Sequence, residues 1–309
     1  LAFCLQNLIC NGFFSLEELN KRIESFPYKH HDSVNKPKAI NSVEKTTIGG
    51  NAHENWTLIR MLPLLIGDRI SEVTNAWKVI LIHKQIVELV FAPEISETYV
   101  IHLTHLLKEL RGLLFSLQIP LIPKHHFVEH YPELIRRFGN LIHIFTLRFE
   151  SKHCFFKKIA RMVKNYKNIT KSFAEKHQLH QALLQCQNDL FEPPIELTRS
   201  VSIVSIDVLS EEIKIALKEE LGNVAFISHS NCVKIDGMDY HTDMVVVSGF
   251  IGGLPRFFLI SMIIVEQGKI FFLCREQESC LDDKLWAFQL VDTRNIVVLT
   301  HSDLSDYYP

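Results

Sequence analysis

The stretch Cys186-Gln-Asn-Asp-Leu-Phe-Glu-Pro-Pro-Ile195 decides the fold, because the hydrophobic period of the chain changes across it. Upstream, apolar residues recur in helical steps of four and three, as at positions 99, 103, 106, 110, 113 and 117. Downstream, they alternate or form short runs typical of strands. The sequence therefore predicts an α+β protein with a mainly helical domain at 1–192 and a small β-rich, barrel-like domain at 193–309, which contains one amphipathic helix.

The upstream half is predicted to be a set of helices. Ser15 and Glu18 match a capping box, in which the Ser side chain accepts a backbone N–H at the start of a helix. The segment Ser71–Phe91 is apolar on several faces, so we expect a buried central helix there. The other predicted helices span 52–66, bent or broken near Pro63, then 94–117, 132–138, 150–165 and 169–187.

Turn residues predict the strands of the downstream half. Asp236-Gly237 and Gln267-Gly268 each lie between two apolar stretches, a pattern typical of a β-hairpin. Ser210 is expected to cap an amphipathic helix that ends at Gly222. Two further strands are predicted at 285–291 and 296–300, and the whole has the size of a small twisted barrel or an open sheet.

The charge of the chain is unevenly distributed. Residues 1–186 contain 24 Lys and Arg against 16 Asp and Glu, a net +8, whereas residues 187–309 contain 9 against 19, a net −10. A basic half of this kind suits a polyanionic partner. Two ordinary solvated surfaces would give the same composition, so both interpretations stay open on composition alone.

Cysteine usage and hydropathy argue against several classes of protein. The seven cysteines are odd in number and include no CxxC pair, which disfavours a disulfide framework or a zinc ribbon and favours a reducing compartment. The longest apolar run of the downstream half, Phe257–Val265, is about half of what a membrane span needs. The apolar stretch Leu1–Cys10 lacks the features of a signal peptide and is interpreted as an internal part of a longer protein. We therefore expect no membrane partner.

The most informative charge pattern lies in Arg148–Lys176, which holds nine Lys and Arg but only two acids. On a helix, Lys157, Arg161 and Lys164 follow the spacing of one face and form a stripe. A row of cations neutralises phosphates without reading base sequence. The predicted DNA contacts are these three residues with their basic neighbours Lys152, Lys158 and Lys167.

A second face of the same predicted helix is apolar. Its members are Phe155, Ile159, Met162 and Tyr166, which also follow helical spacing. We expect this face to dock the helix and leave the basic face for a partner. A plain solvated face is the alternative, because most charge runs are solvated.

Glu150 begins this basic helix, and its position allows two interpretations. On a helical wheel it lies above Lys157 and Arg161, so its carboxylate could hold Mg²⁺ beside a bound phosphate. An acid in the first turn of a helix also simply complements the helix dipole. Spacing alone favours the second interpretation, because one acid does not make a metal site.

The run His126-Phe-Val-Glu-His130 matches the H-x-x-E-H pattern of inverted zinc peptidases. That mechanism needs two His one turn apart on a stable helix. Pro123 and Pro132 leave at most about two turns of helix here, and no third ligand is evident downstream. A zinc peptidase is therefore a weak alternative, and these histidines are more simply interpreted as packing and hydrogen-bonding residues.

A set of short motifs follows a fixed order along the chain. They are Trp56-Thr-Leu-Ile-Arg60, Leu62-Pro-Leu-Leu-Ile-Gly-Asp68, Ala92-Pro93, Pro123-Lys-His-His-Phe-Val-Glu-His-Tyr-Pro132, Arg137-Phe-Gly139, Leu147-Arg-Phe-Glu-Ser-Lys-His153, Phe155-Phe-Lys157, Lys167-Asn-Ile169 and Lys176-His-Gln178. Together they resemble the C-terminal region of proteins encoded by animal DNA transposons, and distantly the CACTA (En/Spm-like) transposases. The resemblance covers residues 1–190 and extends more loosely over the β-rich tail.

The resemblance implies a DDE enzyme with an RNase H-like core, in which two Asp and a later acid hold two metal ions for strand cleavage. Glu150 is the position that matches the late acid, and the two Asp would lie upstream of Leu1. The helices before Glu150 would then be an insertion in the core. The chain alone is expected to be inactive and without a cofactor. The full-length protein would use Mg²⁺, bind DNA and work in the nucleus, with a homo-oligomer left open.

A function from another class stays open beside this one. The chain could be a non-enzymatic helical scaffold, or a host-adapted module that binds protein. Two Asp on strands upstream of Leu1 would favour the enzyme over the scaffold. A metal analysis of the purified protein would decide on the zinc peptidase.

Overall fold

The computed structural model describes residues 1–44, 47–92, 94–164, 166–186, 195–197, 201–235, 238–266 and 268–305, without the side chains of residues 30–31 and 147–151. Helices fill most of the chain before residue 187, and antiparallel strands fill most of it after residue 200. This order confirms the predicted α+β class.

Seven of the ten described helices of the upstream part lie close to the predicted ranges. The ten helices are α1 (Ala2–Cys10), α2 (Leu16–Ser25), α3 (His30–Val34), α4 (Ala52–Ile66), α5 (Asn75–Val90), α6 (Glu97–Ser116), α7 (Pro123–Glu129), α8 (Tyr131–Phe138), α9 (Leu147–Val163) and α10 (Ile169–Cys186). Of these, α1, α3 and α7 were not predicted. The described helices include none with both the length and the apolar character to cross a lipid bilayer.

Polar side chains at the first residues explain where several helices begin. Ser15 accepts a hydrogen bond from the backbone N–H of Glu18 at 3.1 Å, as its spacing predicts. Thr74 likewise accepts a hydrogen bond from the backbone N–H of Trp77. α5 therefore starts at Asn75 and not at residue 71, where the predicted helix begins. α4 runs through Pro63 without a break.

The strands and one further helix form the downstream part. They are β1 (Ile195–Glu196), β2 (Ser202–Ser205), α11 (Glu211–Leu221), β3 (Phe226–Ser230), β4 (Cys232–Ile235), β5 (Met238–His241), β6 (Val245–Ile251), β7 (Leu254–Glu266), β8 (Lys269–Asp282) and β9 (Ala287–Thr300). Ser210 precedes α11, but its side chain makes no capping hydrogen bond.

Two sheets contain these strands. One has the order β1-β4-β5, and the other has the order β2-β3-β7-β8-β9 with β6 paired to β7. Both predicted hairpins are present, with Ile235 opposite Met238 and Glu266 opposite Lys269; positions 236, 237 and 267 lie outside the described residues. The described strands form open sheets and no closed barrel.

The prediction of two separate strands at 285–291 and 296–300 is wrong, because a single strand, β9, runs continuously from Ala287 to Thr300. Arg294 adopts a left-handed conformation with φ of +64° inside this strand. Its backbone N–H donates to the carboxylate of Asp292 at 2.8 Å. Polar residues that suggested a turn therefore form a local distortion that the strand tolerates.

The chain divides into two compact units. The first comprises Leu1–Phe145 together with Leu281–Phe288, and the second comprises Thr146–Cys280 and the residues that follow from Gln289. The basic helices α9 and α10 thus belong to the second unit. The predicted boundary at Pro193-Pro194 lies outside the described residues and stays a prediction.

Each unit has its own buried core. In the first, α1, α2, α4 and α5 pack around Leu5, Leu62 and Trp77, all fully buried. In the second, the large sheet buries Phe258 and Phe272. α11 covers a smaller cluster of the second unit through its buried Leu217.

Candidate nucleic-acid interface

α9 and α10 pack through a seam of aromatic rings. Phe155 of α9 stacks on His180 of α10, with ring centroids 5.4 Å apart. Phe156 contacts Phe173 at 5.3 Å and His177 at 6.0 Å. Aromatic pairs at these distances stabilise beyond the area they bury, so the seam fixes one face of α9 against α10.

Four basic side chains of α9 take no part in the aromatic contacts of this seam. Lys157, Lys158, Arg161 and Lys164 are exposed. None of the four has an ion-pair partner among the described residues. Their charge is therefore not neutralised by the described part of the protein and is available to an external anion.

The two remaining predicted contacts differ from these four. Lys152 is half-buried, and its ammonium lies 5.0 Å from the centroid of the Phe155 ring. This geometry is a cation–π contact, which holds the side chain against the seam. Lys167 is exposed in the segment between α9 and α10. The structure thus places five of the six predicted cations on the surface.

The predicted apolar face of α9 is only partly buried. Ile159 is buried and Phe155 lies in the seam, as expected. Met162 and Tyr166 are instead 75% and 68% exposed, so the prediction that they dock the helix is wrong. α9 ends at Val163, and Lys164 turns into a left-handed conformation with φ of +52°. Tyr166 therefore lies beyond the end of the helix, whereas Met162 lies within it on a face that no described element covers.

Glu150 lies in the first turn of α9, close to the position predicted from the sequence. Its side chain is outside the described residues, and so is everything that its carboxylate contacts. The metal-binding and dipole-complementing interpretations of Glu150 both stay predictions.

The H-x-x-E-H run lies across the seven-residue helix α7. The Nε2 atoms of His126 and His130 are 3.2 Å apart, which is hydrogen-bond distance between the two rings. Glu129 instead pairs with Arg111 on α6 at 3.3 Å. Within the described part of the chain, no group of three or more His, Cys, Asp or Glu is arranged to hold a metal ion.

Sequence reasoning missed a buried contact that involves the turn between β8 and β9, a segment that belongs to the first unit. The indole Nε1 of Trp77 donates a hydrogen bond to the carbonyl of Lys284 at 2.9 Å. The ammonium of Lys84 donates to the carbonyl of Trp286. Leu285 fills the space above Gly67, where a Cβ atom would overlap with it. The turn therefore completes the core of the first unit.

Burial shifts the pKa values of the charged residues at this contact. Lys84 is almost fully buried, and its ammonium lies 3.7 Å from the carboxylate of Glu88 one turn later. Desolvation lowers the pKa of Lys84 and raises the pKa of Glu88, because it outweighs the attraction between the two groups. The position of Lys84 close to the apolar run Val79–Ile82 was a sequence signal of a buried lysine, but it did not indicate the partner.

No protein-family model matches the chain, and neither do curated proteins or solved structures.

Proposed function

We propose that this chain is the C-terminal part of a transposase-like protein of a DNA transposon, and that α9 binds DNA through its phosphates. The proposal takes the nucleus as the place of action and leaves the oligomeric state open. The observation that supports it best is the group Lys157, Lys158, Arg161 and Lys164, four exposed cations without an ion-pair partner among the described residues.

The spacing of these cations suits a phosphate backbone. Lys157 and Lys164 are seven positions apart, which corresponds to about 10 Å at the rise of a helix. Duplex DNA carries one phosphate per about 3.4 Å of axis on each strand. The stripe is therefore long enough to meet about three phosphates, and such contacts position a protein without reading base sequence.

The aromatic seam supports the same proposal. Phe155, Phe156 and Phe173 hold α9 on α10 through the face opposite the cations. A rigid helix places its charges without an added loss of conformational freedom on binding. Met162 and Tyr166, exposed beside Arg161 and Lys164, supply apolar surface next to the charges.

The proposal extends to Glu150 as the last acid of a DDE site in the full-length protein. Two upstream Asp would share two Mg²⁺ ions with it, and the metals would stabilise the charges of strand cleavage. In a full-length protein with cleavage activity, Glu150→Gln should abolish cleavage and leave DNA binding unchanged, because Gln keeps the shape without the charge. Normal cleavage by that variant would rule out this role and leave DNA binding by α9 untouched.

Charge reversal with a matched control tests DNA binding by α9. Lys157→Glu with Arg161→Glu should weaken binding to a short duplex about tenfold or more at low salt, because two phosphate contacts become repulsive. Lys78→Glu with Lys108→Glu makes the same change in charge on exposed residues of α5 and α6. Fluorescence anisotropy with labelled duplex measures both variants. An equal loss in the two would mean that net charge, and not α9, governs binding.

The protein-binding scaffold remains a second candidate because of one surface feature. The turn between β6 and β7 exposes Phe250, Ile251 and Leu254 around two glycines. A concentrated apolar surface of this kind is more typical of protein contacts than of DNA contacts. A chain that shows no affinity for DNA at low salt, while α9 and α10 remain folded, would favour this candidate.

A further inference from the structure

The first unit contains a cavity of about 290 Å³ between α5, α6 and α7. Ile86 of α5, Leu110 of α6 and Val128 of α7 contribute to its largely apolar lining. Ligand sites for small molecules are apolar recesses with a few polar groups at defined places, and this volume lies at the lower end of their range. The cavity is distinct from the basic face of α9, which belongs to the second unit.

α7 lines this cavity and packs against the core through its partly buried Val128. None of its side chains is fully buried, although Val128 faces the cavity. Its last residue, Glu129, pairs with Arg111 of α6 at 3.3 Å. Before its first turn, the backbone N–H of Ile122 donates to Nδ1 of His125. The ion pair thus joins the C-terminal end of the short helix to α6, while the hydrogen bond at its N-terminal end is local to α7.

The charged groups around the cavity leave one cation without a partner. Arg111 and Glu129 neutralise each other, whereas Lys124 is exposed and has no ion-pair partner among the described residues. The two imidazoles add no charge at neutral pH. The pKa of His83 falls to about 4 and the pKa of His125 is also lowered, because the surrounding protein desolvates both rings.

We propose that this cavity binds an amphiphilic monocarboxylate, with its apolar chain against Ile86, Leu110 and Val128 and its carboxylate at Lys124. The apolar lining binds the hydrocarbon chain of the ligand through the hydrophobic effect. Lys124 supplies the only net positive charge among the described lining residues, which favours a single negative charge over a neutral or cationic head group. The run that resembles a zinc-peptidase motif thereby contributes Val128 and Glu129 to the wall of a lipid-like site.

Calorimetric titration of the full chain with decanoate, below the concentration at which decanoate aggregates, tests this site. Decanoate should bind saturably at one site, decanol more weakly, and butyrate should not bind measurably, because it lacks the apolar chain. Val128→Phe fills the cavity from α7 and should weaken decanoate and decanol alike, about tenfold.

A charge variant tests the head group separately, so the proposal does not depend on the folding of Val128→Phe. Lys124→Glu should weaken decanoate about threefold or more and leave decanol unchanged. Lys108→Glu makes the same change on an exposed residue of α6 that does not line the cavity, and should alter neither. Absence of saturable decanoate binding, or equal losses in Lys124→Glu and Lys108→Glu, would overturn the proposal.

Discussion

The helices α5 and α9 are nearly equal in length, but α5 buries a lysine whereas the basic residues at the end of α9 are exposed. α5 has 16 residues and buries ten of them, including Lys84. α9 has 17 residues, and Ile159 is the only buried one among its described side chains. A buried ammonium must be satisfied by the protein itself, whereas an exposed one keeps its charge for a partner. The same residue type is therefore structural in α5 and a candidate binding group in α9.

The substitution of Lys84 should give the largest difference in stability between a variant of α5 and a matched variant of α9. Lys84→Ala leaves the carbonyl of Trp286 without its donor and Glu88 without its buried partner. We expect a loss of about 2–4 kcal/mol in the free energy of unfolding. Lys158→Ala on α9 removes the same charge from an exposed position and should change stability by less than about 0.5 kcal/mol. Urea denaturation of both variants measures this contrast, and equal effects would refute it.

The next largest effect should come from Gly67, which contacts the turn between β8 and β9 within the first unit. A Cβ atom in Gly67→Ala would overlap with Leu285, so we expect a loss of about 1–3 kcal/mol. Gly112→Ala lies in α6 with open space around the new methyl group, and should stabilise by about 0.5–1 kcal/mol.

A double variant shows whether the overlap with Leu285 causes this effect. Leu285→Ala removes the overlapping side chain, so Gly67→Ala combined with it should cost less than the sum of the two single changes. Strict additivity in thermal or urea unfolding would mean that the turn does not occupy this place in solution.

A smaller effect should appear with pH at His83, the neighbour of Lys84 on α5. Desolvation is the main cause that lowers its pKa to about 4 in the folded protein. The unfolded chain binds the proton more readily, so this residue should make the protein less stable as the pH falls from about 6.5 towards 4. His83→Gln should flatten this part of the dependence of Tm on pH. An unchanged slope in the variant would show that His83 is not desolvated in solution.

Local signals predicted the elements of this fold well. The side chain of Ser15 and the pairing of β7 with β8 each join residues within a few positions at their predicted places, and both features occur as expected. The contact between Trp77 and Lys284 joins residues 207 positions apart. The hydrogen bond from Lys84 to Trp286 spans a similar separation. No periodicity or turn motif encodes a partner so far along the chain, so neither contact could be predicted from the sequence.

The candidate DNA-binding face of α9 shows the same limit of prediction from the sequence. The spacing of Lys157 and Arg161 predicted a common exposed face, and both side chains are exposed. The spacing of Met162 and Tyr166 predicted a buried face by the same rule, and both are exposed instead. Periodicity identifies which residues share a face of a helix, but only a neighbouring element decides whether that face is buried. Tyr166 lies beyond the end of α9 at Val163, whereas Met162 lies within the helix and is exposed because no described element covers it.

The salt dependence of DNA binding tests most directly whether α9 uses its exposed cations as proposed. Each phosphate contact contributes about 0.9 to the slope of log K against log salt concentration. Replacement of Lys157, Arg161 and Lys164 together by Ala should therefore lower the magnitude of that slope by up to about three. The matched replacement of the exposed Lys78, Lys108 and Lys218 by Ala should leave the slope unchanged. An unaltered slope in the α9 variant would contradict DNA binding through this helix.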